Sequence, residues 1–240
     1  MIDPPRRAMV LAAGLGTRLR PVTDTLPKPL VELNGRTLLD HAIDRLAAVG
    51  IEHVVVNTHY MGAKIADQLA RRPTPHIEIS EEPELLETGG GVANALRLLG
   101  EMFFVVNADV LWLDGKESAL RRLARAYDPD RMDAVLLLQR TVTAIGYNGD
   151  GDYFLEPDGK PRRRGEREIA PFLFGGIQLL HRRLFDNWQQ RVFSLVRLYD
   201  RAEARGRLHA ILHDGEWYHI GTPAALAATR ERFASHHIER

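Results

Sequence analysis

The residues with the clearest chemical potential lie in a loop that follows the first apolar run of the chain. Gly14 and Gly16 lack a Cβ, so the backbone there can turn sharply and approach a ligand closely. The exposed amides of such a loop face an anion. Arg18 can hold a phosphate through two parallel hydrogen bonds, and Lys28 can add a point charge. This combination predicts a cradle for the phosphates of a nucleoside triphosphate.

Two well-known phosphate-binding motifs differ from this loop. A dinucleotide fingerprint requires a third glycine at position 19, where the chain has Leu19. A Walker loop requires Gly-Lys-Ser or Gly-Lys-Thr, and the sequence contains neither triplet. Instead, Pro27 and Pro29 hold Lys28 in an extended segment, which lowers the entropy lost when its charge is positioned.

A carboxylate follows a second apolar run, at residues 102–106. Asp109 lies directly beyond this run and is a hard oxygen ligand that suits Mg²⁺, although aspartate also caps helices and closes turns. In open parallel sheets, ligands bind beyond the carboxyl ends of the strands. Gly14, Asn57 and the loop at 82–83 occupy equivalent ends. The sequence therefore predicts that these residues share a cleft with Asp109.

Two glycine runs are further candidates for ligand contact. Residues 87–91 read Glu-Thr-Gly-Gly-Gly ahead of a predicted helix, where their amides suit a base edge or an anion; the alternative is a flexible helix start. Gly175 and Gly176 interrupt an apolar strand, which indicates a bulge or the close approach of a ligand. The charged segment 162–168 is most simply a solvated hairpin. Alternatively, one of its arginines meets a sugar phosphate.

The elements that must position these residues alternate along the chain. Unbroken apolar runs predict strands near 8–13, 51–57, 77–80, 102–106 and 134–138. Helical periodicity predicts helices near 37–50, 61–72 and 117–127. This alternation is typical of an α/β fold with a doubly wound, mostly parallel (Rossmann-like) sheet that is covered on both faces. A small β-rich extension is expected in the C-terminal half, with elements near 153–164, 172–179, 194–205, 208–212 and a last helix from 222.

Size and composition limit the class of protein. With 240 residues, 45% of them hydrophobic, the chain can bury a sizeable core. Basic and acidic residues balance at 32 each, so no global field attracts nucleic acid or a membrane surface. There is no cysteine, which excludes disulfides and thiolate metal sites. No apolar run reaches the roughly 18 residues of a membrane span. We therefore expect a soluble cytoplasmic protein without nucleic-acid or membrane partners, of undetermined oligomeric state.

Residues 11–30, Asp109 and the motif at 217–223 together resemble the signature of nucleotidyltransferases that join a nucleoside triphosphate to a sugar 1-phosphate. Within that superfamily, the chain is similar to bacterial N-acetylmuramate 1-phosphate uridylyltransferases from residue 8 to about residue 230. The resemblance implies transfer of a uridylyl group from UTP to a sugar 1-phosphate, foremost N-acetylmuramate 1-phosphate, in cell-wall sugar recycling. It also implies Mg²⁺ as cofactor and one domain, 1–240, with a nucleotide-binding half (1–140) and a sugar-binding half (141–240).

The resemblance further implies roles for individual residues. Catalysis is assigned to Arg18, Lys28 and Asp109. Nucleotide contacts are assigned to Ala12, Ala13, Gly14, Gly16, Thr17, Glu82 and Gly89. Sugar contacts are assigned to Asn107, Glu168, Gly175 and Gly176. The metal is assigned to Asp109 and His219.

His219 departs from the pattern of the related enzymes. They usually read Trp-x-Asp-Ile-Gly-Thr-Pro, with the aspartate as a second metal ligand, whereas this chain has histidine at that position. Imidazole suits softer ions better than Mg²⁺. Four interpretations follow: His219 holds the metal through water, phosphate and water fill the gap, His219 binds manganese or cobalt, or it is a structural residue.

Two other functions remain open at the level of sequence. Mannose-1-phosphate guanylyltransferases share the phosphate cradle, although the glycine run at 87–91 favours uridine. A nucleotide-sensing regulatory subunit with weak catalysis would fit the replacement at His219. Against that second alternative, Arg18, Lys28 and Asp109 are all present.

Overall fold

The computed structural model describes residues 5–235, with side chains as far as 233. Helices and strands alternate through most of this range. The helices are α1 (Leu38–Ala48), α2 (Gly62–Leu69), α3 (Glu87–Ala95), α4 (Ala119–Ala126), α5 (Val196–Ala204) and α6 (Pro223–Ser235). The strands are β1 (Arg7–Leu11), β2 (Glu32–Leu33), β3 (Arg36–Thr37), β4 (His53–Thr58), β5 (His76–Glu81), β6 (Met102–Asn107), β7 (Val110–Leu113), β8 (Ala134–Arg140), β9 (Ala144–Ile145), β10 (Tyr153–Leu155), β11 (Pro161–Arg163), β12 (Phe172–His181), β13 (Leu208–Leu212) and β14 (Glu216–His219).

One large sheet organises the molecule. Its strands follow the order β11-β10-β12-β6-β1-β4-β5, and β8 pairs with both β12 and β13. The pairs β6-β1, β1-β4, β4-β5 and β8-β13 are parallel. Strand β12 runs antiparallel between β6 and β8 and so joins the two halves of the chain. The predicted α/β fold with a mostly parallel sheet is confirmed.

Both faces of this sheet are buried, as its unbroken apolar strands predict. Val54 and Val56 belong to one apolar core, whereas Val55, between them, belongs to the core on the other face. Helices α1 and α4 contribute buried residues to the first core, and α3 and α5 contribute to the second. Packing on both faces holds the strands in place. The loops at the carboxyl ends of the strands therefore start from fixed positions.

Local signals place several elements as expected. Thr37 caps α1, since its hydroxyl accepts a hydrogen bond from the amide of Asp40 at 3.0 Å. Asn34 and Gly35 both have positive φ and connect β2 to β3, as the Asn-Gly pair predicts. Strands β10 and β11 form the predicted hairpin. Within the described residues, no helix is both long and apolar enough to cross a membrane.

A second, three-stranded sheet was not predicted. Strand β14 runs antiparallel to β7 and parallel to β9, and His219 lies opposite Val110 in this register. These strands are short and pair over long sequence distances, so their residues carry little periodic signal. The sheet matters because it brings His219 next to the segment that follows Asp109.

The glycine run at 87–91 was expected ahead of a helix, and that expectation is wrong. Helix α3 begins at Glu87, so all three glycines lie inside it and are buried. The reason is packing: a Cβ on Gly89 would overlap the ring of Phe193, and one on Gly90 would overlap the carbonyl oxygen of Arg191. The glycines therefore let a distant segment press against the helix.

Candidate active site

A cleft of about 670 Å³ opens at the carboxyl ends of β1, β4 and β6. Both the loop after β1 and the loop after β6 contribute to its wall, as predicted for an open parallel sheet. The cleft is lined by Leu11, Ala12, Ala13, Gly14, Leu15, Gly16, Thr17, Arg18, Lys28, Pro29, Asn57, Glu82, Leu85, Glu87, Thr88, Asn107, Ala108, Asp109, Ser194 and Gly221.

The loop after β1 folds back on itself at Gly16. This residue has φ +63°, a left-handed conformation that favours glycine. A Cβ there would lie 3.0 Å from the methyl group of Thr23 and 3.1 Å from the Cβ of Lys28, so glycine also permits this close packing. The hydroxyl of Thr23 donates to the carbonyl oxygen of Gly16 at 2.8 Å. These contacts fix the position of Lys28 in the cleft wall.

Lys28 and Asp109 form the central ion pair of the cleft. The Lys28 ammonium donates to Oδ2 of Asp109 at 2.9 Å, with the lysine side chain 10% exposed and the aspartate side chain 32% exposed. Burial raises the pKa of Asp109, but the charge and hydrogen bond of Lys28 outweigh it, and the pKa lies below its ordinary value. The carboxylate is therefore ionised at neutral pH.

Arg18 stands at the rim of the same cleft. It belongs to a 3-10 turn, Thr17–Leu19, in which Leu19 is fully buried while Arg18 is exposed. The buried leucine anchors the turn, and the arginine is left free to face the cleft. Its charge contributes to holding the pKa of Asp109 low, which places both groups within one electrostatic environment.

His219 lies beside this pair at the end of β14. The amide of the next residue, Ile220, donates to the carbonyl oxygen of Asp109 at 3.2 Å, and the histidine ring stacks on Trp217 with 6.1 Å between centroids. Burial lowers the pKa of His219, and the charge of Lys28 lowers it further, against the opposing effect of Asp109. The imidazole is therefore neutral at neutral pH.

A chain of hydrogen bonds ties the first loop to the strand beside it. The amide of Ala12 donates to Oδ1 of Asn57 at 2.8 Å, and Nδ2 of Asn57 donates to Oε1 of Glu82 at 2.7 Å. Oε2 of Glu82 accepts from the amide of Leu86 at 3.1 Å. A Cβ on Gly91 would lie 2.7 Å from Glu82, so glycine is needed there. Glu82 thus lines the cleft as a braced residue.

Gly89, which was predicted to contact the nucleotide base, does not line the cleft. The amide of Gly89 instead donates to the carbonyl oxygen of Phe193 at 2.8 Å. Its neighbour Thr88 does line the cleft, and the Thr88 hydroxyl accepts from the amide of Leu195 at 2.9 Å. Ser194, which lies between Phe193 and Leu195 in the sequence, also lines the cleft. A base contact by Gly89 stays a prediction.

Two of the residues expected at the sugar side, Gly176 and Asn107, are neighbours, but Asn107 lines the cleft whereas Gly175 and Gly176 do not. Gly176 has φ +74°, and a Cβ on it would lie 3.2 Å from Nδ2 of Asn107, which lines the cleft. Gly175 accepts a hydrogen bond on its carbonyl oxygen from the indole of Trp217 at 2.8 Å. The register of β12 shifts between Phe174 and Gln178, so the predicted bulge is confirmed.

Glu168, the remaining sugar candidate, is not brought to the cleft. Its carboxylate accepts two hydrogen bonds from Arg162, at 2.9 and 3.0 Å, and one from the amide of Gly165 at 2.6 Å. The bond from Arg162 is the main reason that the pKa of Glu168 falls to about 2. These contacts close an exposed turn, and a sugar contact by Glu168 stays a prediction.

A family model described as MobA-like NTP transferase domain matches residues 8–190. The chain belongs to this family of NTP transferases. A Caulobacter vibrioides protein named N-acetylmuramate alpha-1-phosphate uridylyltransferase is 42% identical over 240 residues, covering 98% of this chain and 99% of that protein. A protein of the same name from Neisseria meningitidis serogroup B is 35% identical over 227 residues, covering 92% and 95% respectively.

The fold is shared with a solved structure. The crystal structure of a UDP-glucose pyrophosphorylase in complex with UDP-glucose matches with a TM-score of 0.78 at 17% identity, and covers 96% of this chain and 99% of that one. At this identity the match shows a shared fold and nothing more.

Three residues of the NTP transferase cleft carried little sequence signal. Leu85 and Ser194 lie in loops without a motif, and only the tertiary contacts around α3 bring them to the wall. Gly221 belongs to the Ile-Gly-Thr-Pro stretch, and a Cβ on it would lie 2.6 Å from the imidazole of His219. That stretch was the signal that could have identified Gly221.

The donor atoms at the cleft suit a divalent cation. Asp109 offers an ionised carboxylate that is one-third exposed. His219 does not itself line the cleft, but its neutral imidazole lies near enough to feel the charge of Asp109. Mg²⁺ in nucleotide sites is commonly held by one or two carboxylates, with water and substrate phosphates as further ligands. One carboxylate in a cleft of about 670 Å³ fits that pattern.

Proposed function

We propose that the chain transfers a uridylyl group from UTP to a sugar 1-phosphate, with N-acetylmuramate 1-phosphate as the favoured acceptor, and releases pyrophosphate. The observation that carries this proposal is the Lys28–Asp109 pair, which closes at 2.9 Å inside a cleft that Arg18 also lines. The names of the two relatives that match nearly the whole chain support UTP and this acceptor.

The proposed reaction needs little proton chemistry. The attacking group is an oxygen of the sugar phosphate, which is already an anion at neutral pH, so no general base is required. The obstacle is repulsion between two polyanions and the need for an in-line approach to the α-phosphorus. Positioning and fixed positive charge therefore supply the rate enhancement.

Each side chain then has a defined part. Lys28, buried and fixed by the turn at Gly16, stabilises the negative charge on the α-phosphate as the new P–O bond forms and the bond to pyrophosphate breaks. Arg18 at the rim binds the departing pyrophosphate through paired hydrogen bonds. The backbone of residues 12–17 lines the same wall and offers close approach to the nucleotide.

A divalent cation, Mg²⁺ in this proposal, would be held by Asp109, with His219 beside it. Such an ion supplies further positive charge to phosphate oxygens. Asp109 also holds Lys28 in place before substrate binds, since their hydrogen bond spans the cleft wall. The neutral imidazole of His219 adds a nitrogen donor without adding a charge.

The two halves of the chain take different substrates in this proposal. Residues 1–140 supply the loop after β1 and the braced Glu82, and they hold the nucleotide. Residues 141–240 supply the bulge at Gly175 and Gly176, which packs behind the cleft-lining Asn107 and positions it for the sugar in this proposal. Gly89 and Glu168 remain proposed contacts to base and sugar.

Pyrophosphate release tests the proposal directly. Purified protein is supplied with UTP or GTP and with the 1-phosphates of N-acetylmuramate, N-acetylglucosamine and mannose, with and without chelator. We expect the fastest release with UTP and N-acetylmuramate 1-phosphate, and none with chelator. Preference for GTP and mannose 1-phosphate would replace the proposal with a guanylyltransferase. Binding of UTP without any release would indicate a nucleotide sensor.

A further inference from the structure

Three potential metal ligands lie together at the end of the sheet opposite the cleft. His53 and His76 begin the parallel strands β4 and β5 and are direct partners in their register. Glu78 follows two residues after His76, on the same face of β5. We propose that His53, His76 and Glu78 bind one divalent transition-metal ion of the zinc class, separate from the cation of the cleft.

The spacing of these side chains is close to that of a metal site. One donor atom from each lies within 4.8 Å of the others, and the two imidazole rings meet edge to face, 5.2 Å apart. Ligands about 2.0–2.2 Å from a tetrahedral ion stand roughly 3.3 Å from one another. The side chains of His76 and Glu78 are 62% and 34% exposed on the edge strand, so they have room to close that gap.

The cluster also has unused donor capacity. Nδ1 of His53 is buried and has no hydrogen-bond partner among the described residues. Nε2 of His76 lies 4.0 Å from Oε1 of Glu78, which is too far for a hydrogen bond. A buried polar atom without a partner costs free energy, and a metal ion that orders the cluster would offset this cost.

The donor types select the class of ion. Two imidazoles and one carboxylate suit Zn²⁺, Co²⁺ and Ni²⁺, whereas Mg²⁺ prefers a shell of oxygen atoms. Three protein ligands leave a further position for water, consistent with the exposed edge of the sheet. Because His53 and His76 belong to different strands, the bound ion links the edge strand β5 to β4 and stabilises the fold.

Arg7 provides an internal check on this assignment. Its Nη1 lies 4.0 Å from Oε1 of Glu78, while it donates to the carbonyl oxygen of Leu98 at 2.7 Å. The guanidinium therefore repels a cation at the cluster and competes for the carboxylate. Replacing Arg7 with glutamine should tighten metal binding, the opposite of the effect of removing a ligand.

The test is a titration of metal-free full-length protein with Zn²⁺ by calorimetry, and with Co²⁺ by visible absorption. His236 and His237 form another histidine pair in the sequence, so both are replaced by alanine in the parent used for every comparison. We expect His76→Ala to lose one bound equivalent and Glu78→Gln to weaken binding roughly tenfold or more. Glu81→Gln, an exposed glutamate on the same strand, is the matched control and should leave binding unchanged.

Two further readouts make the outcome decisive. A hundredfold excess of Zn²⁺ over its Kd should raise the unfolding temperature of the parent by about 5–10 °C and leave that of His76→Ala unchanged. Pyrophosphate release should be unaffected by His76→Ala, because the cluster lies away from the cleft. Equal Zn²⁺ stoichiometry and affinity in the parent and in folded His76→Ala would overturn the proposal.

Discussion

Lys28 and Asp109 come from positions 81 residues apart, yet each was recognisable from its local sequence. Lys28 stands between two prolines after a glycine-rich turn, and Asp109 directly follows a buried strand. Such signals are local, so the sequence carries them. The surroundings of Gly89 and Glu168 were not predictable, because their partners Phe193 and Arg162 are set by tertiary packing and by side-chain choice in an exposed turn.

Substitution of His219 by aspartate tests the metal site at the scale of one residue. Aspartate would add a second hard oxygen beside Asp109, which suits Mg²⁺ better than imidazole does. We therefore expect His219→Asp to retain or raise Mg²⁺-dependent pyrophosphate release. The measurement is initial rate against Mg²⁺ concentration at saturating substrates.

His219→Ala is the matched control, since it removes the imidazole without adding a carboxylate. We expect added Mg²⁺ to raise the initial rate of His219→Ala less than it raises the initial rate of His219→Asp. A complete loss of activity in His219→Asp, with circular dichroism unchanged, would mean that the imidazole itself has a role that oxygen does not replace.

Helix α3 shows how one element is shaped by a distant one. Its glycines were predicted to precede the helix and expose their amides, but each lies inside it and meets a different neighbour: the Phe193 ring, the Arg191 carbonyl and the Glu82 carboxylate. Two of those neighbours lie about a hundred residues further along the chain, so periodicity alone gave no sign of them. The small sheet of β7, β14 and β9 escaped prediction for the same reason.

Gly90→Ala tests the packing of this element. The added methyl group would overlap the carbonyl oxygen of Arg191. This atom belongs to the backbone, so it cannot move aside as the end of a flexible side chain can. We expect a loss of about 1–3 kcal/mol in the free energy of unfolding, measured with urea. Gly100→Ala is the control, because its Cβ would lie 3.9 Å from its nearest neighbour, and it should change stability by less than about 0.5 kcal/mol. Equal stabilities of the two variants would contradict the close packing.

The whole molecule is organised by one sheet whose central strands were visible in the sequence as unbroken apolar runs. Parallel strands covered on both faces need such runs, so fold class and the edge that carries the cleft followed directly. The antiparallel insertion of β12 between β6 and β8 was not predicted, because pairing order depends on contacts that no local pattern records.

Acid stability is a property of the whole chain that buried carboxylates control. Burial raises the pKa of Asp40, but hydrogen bonds from Thr37 and Arg72, both at 2.7 Å, outweigh it and hold the pKa below its ordinary value of 3.8. The ionised form thus stabilises the fold at every pH above 3.8, and this contribution is lost as the pH falls through the lower, folded value.

We therefore expect the free energy of unfolding to decrease below about pH 4, and to decrease less steeply in Asp40→Asn, which is also less stable at pH 7. Urea unfolding between pH 2.5 and 7, roughly the span over which carboxylates titrate, measures both effects. Asp67→Asn, an exposed aspartate on α2, is the control and should follow the unsubstituted chain. Identical pH slopes for Asp40→Asn and Asp67→Asn would contradict this account.

The claim on which the proposed activity depends is that Lys28, held against Asp109, acts on the phosphates of the nucleotide. Its most direct test is the turnover of Lys28→Ala at saturating UTP and sugar 1-phosphate, beside Lys160→Ala, whose exposed ammonium pairs with Asp158 at 2.8 Å in the hairpin. We predict that Lys28→Ala lowers turnover about 100- to 1,000-fold while Lys160→Ala leaves it unchanged. Near-normal turnover in a folded Lys28→Ala variant would contradict the account.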